Sequence, residues 1–329
     1  MSDQSDDAPK VVAWSFPTRV LFGVGSAQRV PEEAKALGAT KAFLVTDEGV
    51  RLAGLVDPVA EALSEAGIEC TICDSISSNP LESEVLGAAD AFRKAGADLV
   101  VAIGGGSPLD VGKLVRLAAT HPMPLAQYDD AIGGDAKVTE PVPPMIAIPT
   151  TAGTGSEVGR SGVVTLQATN RKTVIFAPSL MPNVAILDPK MTETMPPRTT
   201  AATGIDALTH CIEAYCALGD HPMADAIALE GIALIHKHLE NAVRDGKDLD
   251  ARGGMLKAAM MGAVAFQKGL GAIHSLSHPC GSVFHTHHGL TNAVVMPYVL
   301  AYNRPAIEER IVRLARYLGI ERGFDGFMR

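Results

Sequence analysis

The sequence predicts an α/β fold in its N-terminal half, a parallel sheet with helices on both faces, followed by an all-helical C-terminal half. Three observations carry this expectation. Apolar runs of strand length alternate with helical patterns as far as Asp188-Pro189. One of these runs, residues 98–103 (DLVVAI), is uninterrupted, as expected of a parallel strand buried on both sides. From Pro196 to Tyr317 no strand pattern occurs, and long helical patterns take over.

Taken in order, residues 1–9 read as a polar, disordered tail. Residues 11–24 carry β-branched and aromatic residues punctuated by Pro17 and Gly23, and read as a hairpin or two short strands. A helix over 26–37, a strand over 41–46 ending at Asp47, a helix over 58–66 and a strand over 68–73 follow. After the Asn79-Pro80 turn come a helix over 82–95, the 98–103 strand, and a helix over 108–119. Strands over 145–148, 173–176 and 183–187 complete the half. The later helical patterns cover 198–217, 222–245, 251–268 and 306–318. The boundary is placed near residue 190.

Composition narrows the function. The 329 residues are 47% hydrophobic, enough for a large core, and too many for a single ordinary one. The net charge is −9, from 28 basic and 37 acidic residues with no basic run, so no nucleic-acid partner is expected. No 18-residue apolar run is present, and the acidic start MSDQSDDAPK lacks the features of a signal peptide, so a cytoplasmic protein is expected. Five cysteines include the pair Cys70 and Cys73. They lie on a predicted strand, where positions three apart face opposite sides, so reduced, non-catalytic thiols are expected.

Two loops point to a nucleotide. The first strand–loop–helix unit carries Gly104-Gly105-Gly106-Ser107, so backbone N–H groups and a helix dipole are available to an anion. The run is neither a G-x-G-x-x-G nor a P-loop fingerprint. A second loop, residues 150–156 (TTAGTGS), is also rich in glycine and hydroxyls. Two such loops at one sheet edge suggest a dinucleotide, which makes residues 10–190 a dinucleotide-binding region. Asp47 ends a strand. It either accepts hydrogen bonds from a ribose, excluding a 2′-phosphate, or caps a helix.

The helical half, residues 191–329, carries the second candidate site. Residues 271–292 (GAIHSLSHPCGSVFHTHHGLTN) hold five of the ten histidines. His274 and His278 are four apart, on one face of a helix. Pro279 and Gly281 then break the pattern, with His288-Gly289 in the irregular stretch beyond. Asp206 and His210, in GIDALTHCIEAY, are also four apart. One Asp with three His is an oxygen and nitrogen donor set suited to Fe(II) or Zn(II).

Together these segments resemble the iron-containing (group III) alcohol dehydrogenase family. The likeness runs from about Phe22 to Asn303. It rests on FGVGSAQRV, LVTDEGV, SSNP, GGGSPLDVGK, IPTTAGTGSEV, NVAILDP, GIDALTHCIEAY and the histidine segment through PYVLAYN. The resemblance implies the architecture shared with dehydroquinate synthases, an N-terminal dinucleotide-binding domain and a C-terminal helical domain. It implies Asp206, His210, His274 and His288 as metal ligands, and His278 near the nicotinamide. It places Asp47, Asn79, Gly105, Gly106, Ser107, Asp110, Thr150, Thr151 and Lys172 on the nucleotide side. His285 and His287 receive no role.

The implied activity is reversible hydride transfer between a small alcohol and NAD, rather than NADP, with Fe(II) or Zn(II) polarising the substrate oxygen. The implied state is a homodimer or higher homo-oligomer. Related architectures serve glycerol dehydrogenases, maleylacetate reductases and hydroxyacid–oxoacid transhydrogenases, and an inactive homologue that binds nucleotide or a partner is the rival of another class. Two departures stand out. His287 replaces the family's usual Pro before His-Gly. Family members also commonly continue with further helices beyond the equivalent of GFDGFMR, so exposed apolar surface is expected on the helical half.

Overall fold

A computed structural model describes Phe16, residues 19–284 and residues 286–329. Strands β1 (Arg19–Phe22), β2 (Lys41–Val45), β3 (Glu69–Cys73), β4 (Leu99–Gly104), β5 (Met145–Pro149), β6 (Ser161–Leu166), β7 (Arg171–Phe176) and β8 (Val184–Leu187) all precede residue 190. Helices α1 (Val30–Ala36), α2 (Glu48–Leu52), α3 (Asp57–Glu65), α4 (Glu82–Ala95) and α5 (Gly106–Thr120) are interleaved with them. Then come α6 (Pro197–Cys216), α7 (Pro222–Arg244), α8 (Leu249–Ala265), α9 (Ala272–Phe284), α10 (His288–Tyr317) and α11 (Gly323–Phe327).

Among the described residues, six strands form one parallel sheet in the order β1-β8-β5-β4-β2-β3. Its central strand shows why the apolar run is continuous. Leu99, Val101 and Ile103 of β4 face a core shared with α1 and α3, while Val100 and Ala102 face one shared with α4 and α5. Every residue of β4 is buried. Helices on both faces are therefore a consequence of strands with no polar side to present to water. Cys70 packs on one of these cores and Cys73 on the other, and both thiols are free, as their strand spacing predicted.

From β2 the chain moves outward to β3, whereas from β4 it moves the other way to β5. The carboxyl ends of β2 and β4 thus flank a switch point, the usual place for a ligand in an open α/β sheet. Asp188 joins the ends of β1 and β8 by accepting from the amides of Gly25 and Ala27, each at 3.0 Å. Beyond it, α6 to α10 enclose their own core, which also takes in Ala185 and Leu187 of β8.

Three local expectations differ from the structure. Residues 11–15, 17 and 18 lie outside the described residues, as does the 1–9 tail. Residues 19–22 form a short strand, one of the two readings of this stretch, and pair in parallel with β8. β6 was not anticipated; it pairs antiparallel with β7 as a separate two-stranded sheet, with Val164 and Leu166 buried against the α4–α5 side. Pro279 does not end its helix, because α9 continues to Phe284. A proline forfeits one backbone hydrogen bond, and packing of α9 on α10 keeps the helix going. Finally, α10 begins at His288 rather than near residue 306, and it contains Pro297 and Pro305.

The expected apolar surface is present on the helical half. Leu290, Val294, Tyr298 and Tyr302 are exposed at four-residue spacing along α10. An apolar groove of about 650 Å³, lined by Ile212, Ile235, Leu239, Leu300 and Leu318, runs between α6, α7 and α10.

Candidate metal centre and nucleotide edge

Asp206 and His210 project from one face of α6, where a spacing of four residues brings side chains into register. His274 comes from the first turn of α9, and His288 is the first residue of α10. These helices bring the four side chains together. The His210 and His274 rings are stacked with centroids 4.7 Å apart, and His274 and His288 are 5.3 Å apart. Around Asp206 Oδ1 stand His288 Nε2 at 3.3 Å, His274 Nε2 at 3.7 Å and His210 Nε2 at 4.0 Å. The donor atoms of Asp206, His210 and His274 all lie within 4.8 Å of one another.

The close approach of α10 to α6 requires Gly289. A Cβ there would stand 2.0 Å from the Ala202 carbonyl oxygen, so any side chain would push His288 away from Asp206. This gives the His-Gly pair of the sequence a steric reason.

Three of the four side chains are almost fully buried, while that of His288 is 37% exposed. The cluster therefore opens to solvent on the His288 side. His274 Nε2 is buried and has no hydrogen-bond partner, which for a polar atom in a protein interior calls for an explanation. Its other nitrogen, Nδ1, is 2.5 Å from Glu213 Oε2. A nitrogen held by a carboxylate on one side and left open toward a carboxylate–imidazole cluster on the other is how a metal-binding histidine is presented. The residues present fit an Fe(II) or Zn(II) ion.

Charge follows the same geometry. Burial works against ionisation of Asp206, but the surrounding imidazoles hold its carboxyl well below the usual range. Burial pushes His210 down to about 4 against the pull of Asp206. Burial likewise opposes protonation of His274, yet the carboxylates of Asp206 and Glu213 on either side of its ring lift it to about 9. His278 stands at the rim, 5.7 Å from the His274 ring and 5.2 Å from that of His288. Burial, then the charges of His288, His274 and Lys172, keep it neutral, at about 4. Lys172, from β7, thereby falls within electrostatic reach of His278. His287 is exposed and makes no capping bond at the start of α10, and His285 lies outside the described residues.

The nucleotide candidates line the carboxyl edge of the sheet. Asp47 follows β2 and caps α2, its Oδ1 accepting from the Val50 amide at 2.9 Å. The helix-capping role is thus filled, and one carboxylate oxygen suffices for it. Gly105 and Gly106 open α5, and Ser107 Oγ donates to the Ser78 carbonyl at 2.9 Å, joining this loop to the turn that carries Asn79. Thr150 N donates to Gly104 O at 2.9 Å, so the loops after β4 and β5 lie side by side. A Cβ on Gly106 would come within 2.9 Å of Thr154, and one on Gly105 within 3.4 Å of Thr151. The two glycines thus let the threonines of the loop after β5 pack against the start of α5, whose backbone amides are the groups a pyrophosphate would use. Asp110 turns inward. Its Oδ1 accepts from Ser156 Oγ at 2.6 Å and its Oδ2 from the Val163 amide at 3.1 Å.

The same loop reaches the metal side. Gly155 has φ +61°, and a Cβ on it would meet Ala263 of α8 at 2.3 Å. Only glycine gives both this turn and this contact, and α8 leads directly into Phe266, whose ring lies 5.2 Å from that of His210.

Glu213, Asn292 and Phe266 were missed in the sequence. Asn292 is fully buried and donates from Nδ2 to Asp206 Oδ1 at 2.8 Å. Glu213 had a readable signal, since it sits seven residues after Asp206 and three after His210 on the same helical face. Asn292 had one only if His288 were already known to start a helix.

Comparison with known proteins agrees. The family description "iron-containing alcohol dehydrogenase" matches residues 17–189, and its C-terminal counterpart matches residues 200–325. A 4-hydroxybutyrate dehydrogenase from Cupriavidus necator is 42% identical over 319 residues, 94% of this chain and 83% of that protein. The crystal structure of a 1,3-propanediol oxidoreductase superposes with a TM-score of 0.90 at 40% identity, covering 94% of this chain and 80% of the other. A sulfoacetaldehyde reductase from Bifidobacterium kashiwanohense, solved in complex with NAD+, gives 0.88 at 30% identity, covering 97% and 84%. The chain belongs to the iron-containing alcohol dehydrogenase family. It is accordingly an oxidoreductase, an NAD-linked alcohol dehydrogenase that uses a metal.

Proposed function

We propose that this protein interconverts a small primary alcohol and its aldehyde, with Asp206, His210, His274 and His288 holding Fe(II), or alternatively Zn(II). The observation that carries the reading is the convergence of one carboxylate and three imidazoles, with His274 Nε2 buried and open toward Asp206. A metal bound there supplies Lewis acidity to the substrate oxygen. NAD, the hydride acceptor, would lie between the glycine loops and the His288 side of the cluster.

The chain's own groups then have distinct tasks. Asp206 brings the negative charge that balances a divalent ion. Gly105, Gly106 and Ser107 offer amides to the pyrophosphate, with Thr150 and Thr151 on the facing loop. Asp47 accepts from the ribose and disfavours NADP by charge repulsion. His278, neutral at the rim, either accepts the alcohol proton for relay to solvent or positions the nicotinamide. Lys172 adds positive charge on the same side. Asn79 and Asp110 shape the edge, Asp110 by fixing β6 against α5. Phe266 offers an apolar wall beside His210.

Short alcohols with a polar far end suit the reading best, because two of the similar proteins are named for 4-hydroxybutyrate and 1,3-propanediol. A homodimer built through the edge strand β1 and a cytoplasmic location belong to the same proposal. β1 has a sheet neighbour only on its β8 side among the described residues, and all five thiols are free. No helix among the described residues is long and apolar enough to cross a membrane.

The test is anaerobic reconstitution with Fe(II) or Zn(II), followed by NADH absorbance with 1,3-propanediol, 4-hydroxybutyrate and simple alcohols, and with NADP in parallel. Metal-dependent turnover with NAD is expected. A folded, metal-loaded protein inert toward every alcohol and aldehyde would favour the inactive nucleotide-binding homologue.

A further inference from the structure

Glu213 lies two turns along α6 from Asp206, on the face that carries the metal cluster, and its side chain is 5% exposed. Its two oxygens are used differently. Oε1 accepts from the Ile273 amide at 2.6 Å, in the first turn of α9, and a Cβ on Gly271 would stand 2.9 Å from this oxygen. Oε2 is 2.5 Å from His274 Nδ1. The α9 N-terminus is thus wrapped around the Glu213 carboxylate, and the residue after Ile273 is a proposed metal ligand.

We infer that Glu213 is a positioning residue for the metal: its carboxylate fixes the proton of His274 on Nδ1 and so commits Nε2 to the ion. The inference rests on the proposed metal site and deepens it. The chemistry admits one arrangement. A carboxylate is an acceptor on both oxygens, so the nitrogen facing Oε2 must be the N–H donor. Once a metal displaces the second proton, the lone pair of the ring is on Nε2, the buried atom that lacks a partner. The negative charge behind the ring also makes Nε2 a stronger donor to a cation. Because Oε1 holds the backbone of α9 at the same time, ring orientation and helix position are set by one side chain.

Glu213→Gln separates the two tasks. The amide has one acceptor and two N–H donors on its other arm. If its oxygen keeps the Ile273 amide, its NH₂ faces His274 Nδ1 and forces the proton to Nε2, where it blocks the metal. If its oxygen faces His274, the α9 amide loses its partner. The variant therefore retains the volume and most of the packing, and loses either the proton arrangement or the α9 anchor.

The experiment has two arms, both on the full chain. In the first, Fe(II), Zn(II) and Co(II) affinities of wild type and Glu213→Gln are measured by competition with a chelator, with NAD binding and thermal unfolding of the apoprotein as controls. Affinity is expected to fall about 10–100-fold in the variant, with NAD binding kept. In the second, which needs no variant, ¹⁵N-labelled histidine in the zinc-loaded wild type is examined by NMR. His274 should show a protonated Nδ1, slow to exchange, and a metal-bound Nε2. Equal metal affinity in wild type and variant overturns the role of Glu213 and leaves the metal site intact, whereas a His274 protonated at Nε2 in the loaded protein overturns its place among the ligands as well. A wild type that takes up no metal at all overturns both.

Discussion

At the carboxyl edge of the sheet, the groups offered to a ligand are backbone amides on two loops that lie against each other, joined by Thr150 N and Gly104 O. In the helical half they are side chains brought from α6, α9 and α10, and three of the four are held by another side chain or a helix contact: His274 by Glu213, Asp206 by Asn292, and His288 by the bare Gly289. The first is a local device, set by a short run of residues after each strand. The second is a tertiary device, which exists only when three helices are packed. The difference teaches where each half is vulnerable. The proposed nucleotide edge is expected to fail when a side chain is added, and the proposed metal centre when one is removed or when a helix shifts.

The largest effect is expected from His274→Ala. Metal content should fall to near zero and turnover by about 1,000-fold or more, the scale of losing several kcal/mol of Lewis-acid stabilisation. Metal analysis and NADH absorbance measure both, and NAD titration should be unchanged. Loss of NAD binding as well would show that the two regions are not separable. Next is Gly289→Ala. Its Cβ would meet rigid backbone at Ala202, so α10 must move, and an overpacking cost of about 1–3 kcal/mol should appear as metal affinity about 10–100-fold weaker, read by chelator competition.

Gly106→Ala tests the other side. Its Cβ would press on the Thr154 side chain at 2.9 Å, a softer obstacle. The Kd for NAD should rise about 10-fold with metal content unaltered, as measured by fluorescence titration and metal analysis. The smallest effect is assigned to Asp47→Gly. Preference for NAD over NADP should weaken by roughly 10-fold in kcat/KM, while the lost helix cap costs only a few tenths of a kcal/mol. An unchanged cofactor ratio would reduce Asp47 to its capping role.

The same contrast explains what was legible in the sequence. β4 and its glycine loop could be read directly, because burial on both faces and a strand-to-helix turn leave marks within ten residues. Asp206 and His210 were readable as a pair on one helix. The position of His288 was not, since Pro279 and Gly281 suggested an irregular stretch where α9 in fact continues and α10 begins at His288 itself. Packing of α9 on α10 overrode the local signal. Asn292 stayed hidden for that reason, being one turn beyond a helix start that the pattern did not show. Glu213 was visible in principle on the Asp206–His210 face, but its purpose depends on the α9 turn that folds over it. β6, with neither a long apolar run nor a place in the main sheet, gave little signal of its own.

The most direct test of the metal centre is anomalous scattering at the iron or zinc edge, from crystals grown with the metal and NAD. One strong peak is expected, about 2.0–2.2 Å from Asp206, His210, His274 Nε2 and His288. A peak at any other group of residues, or none in protein that turns over alcohol, would contradict the account.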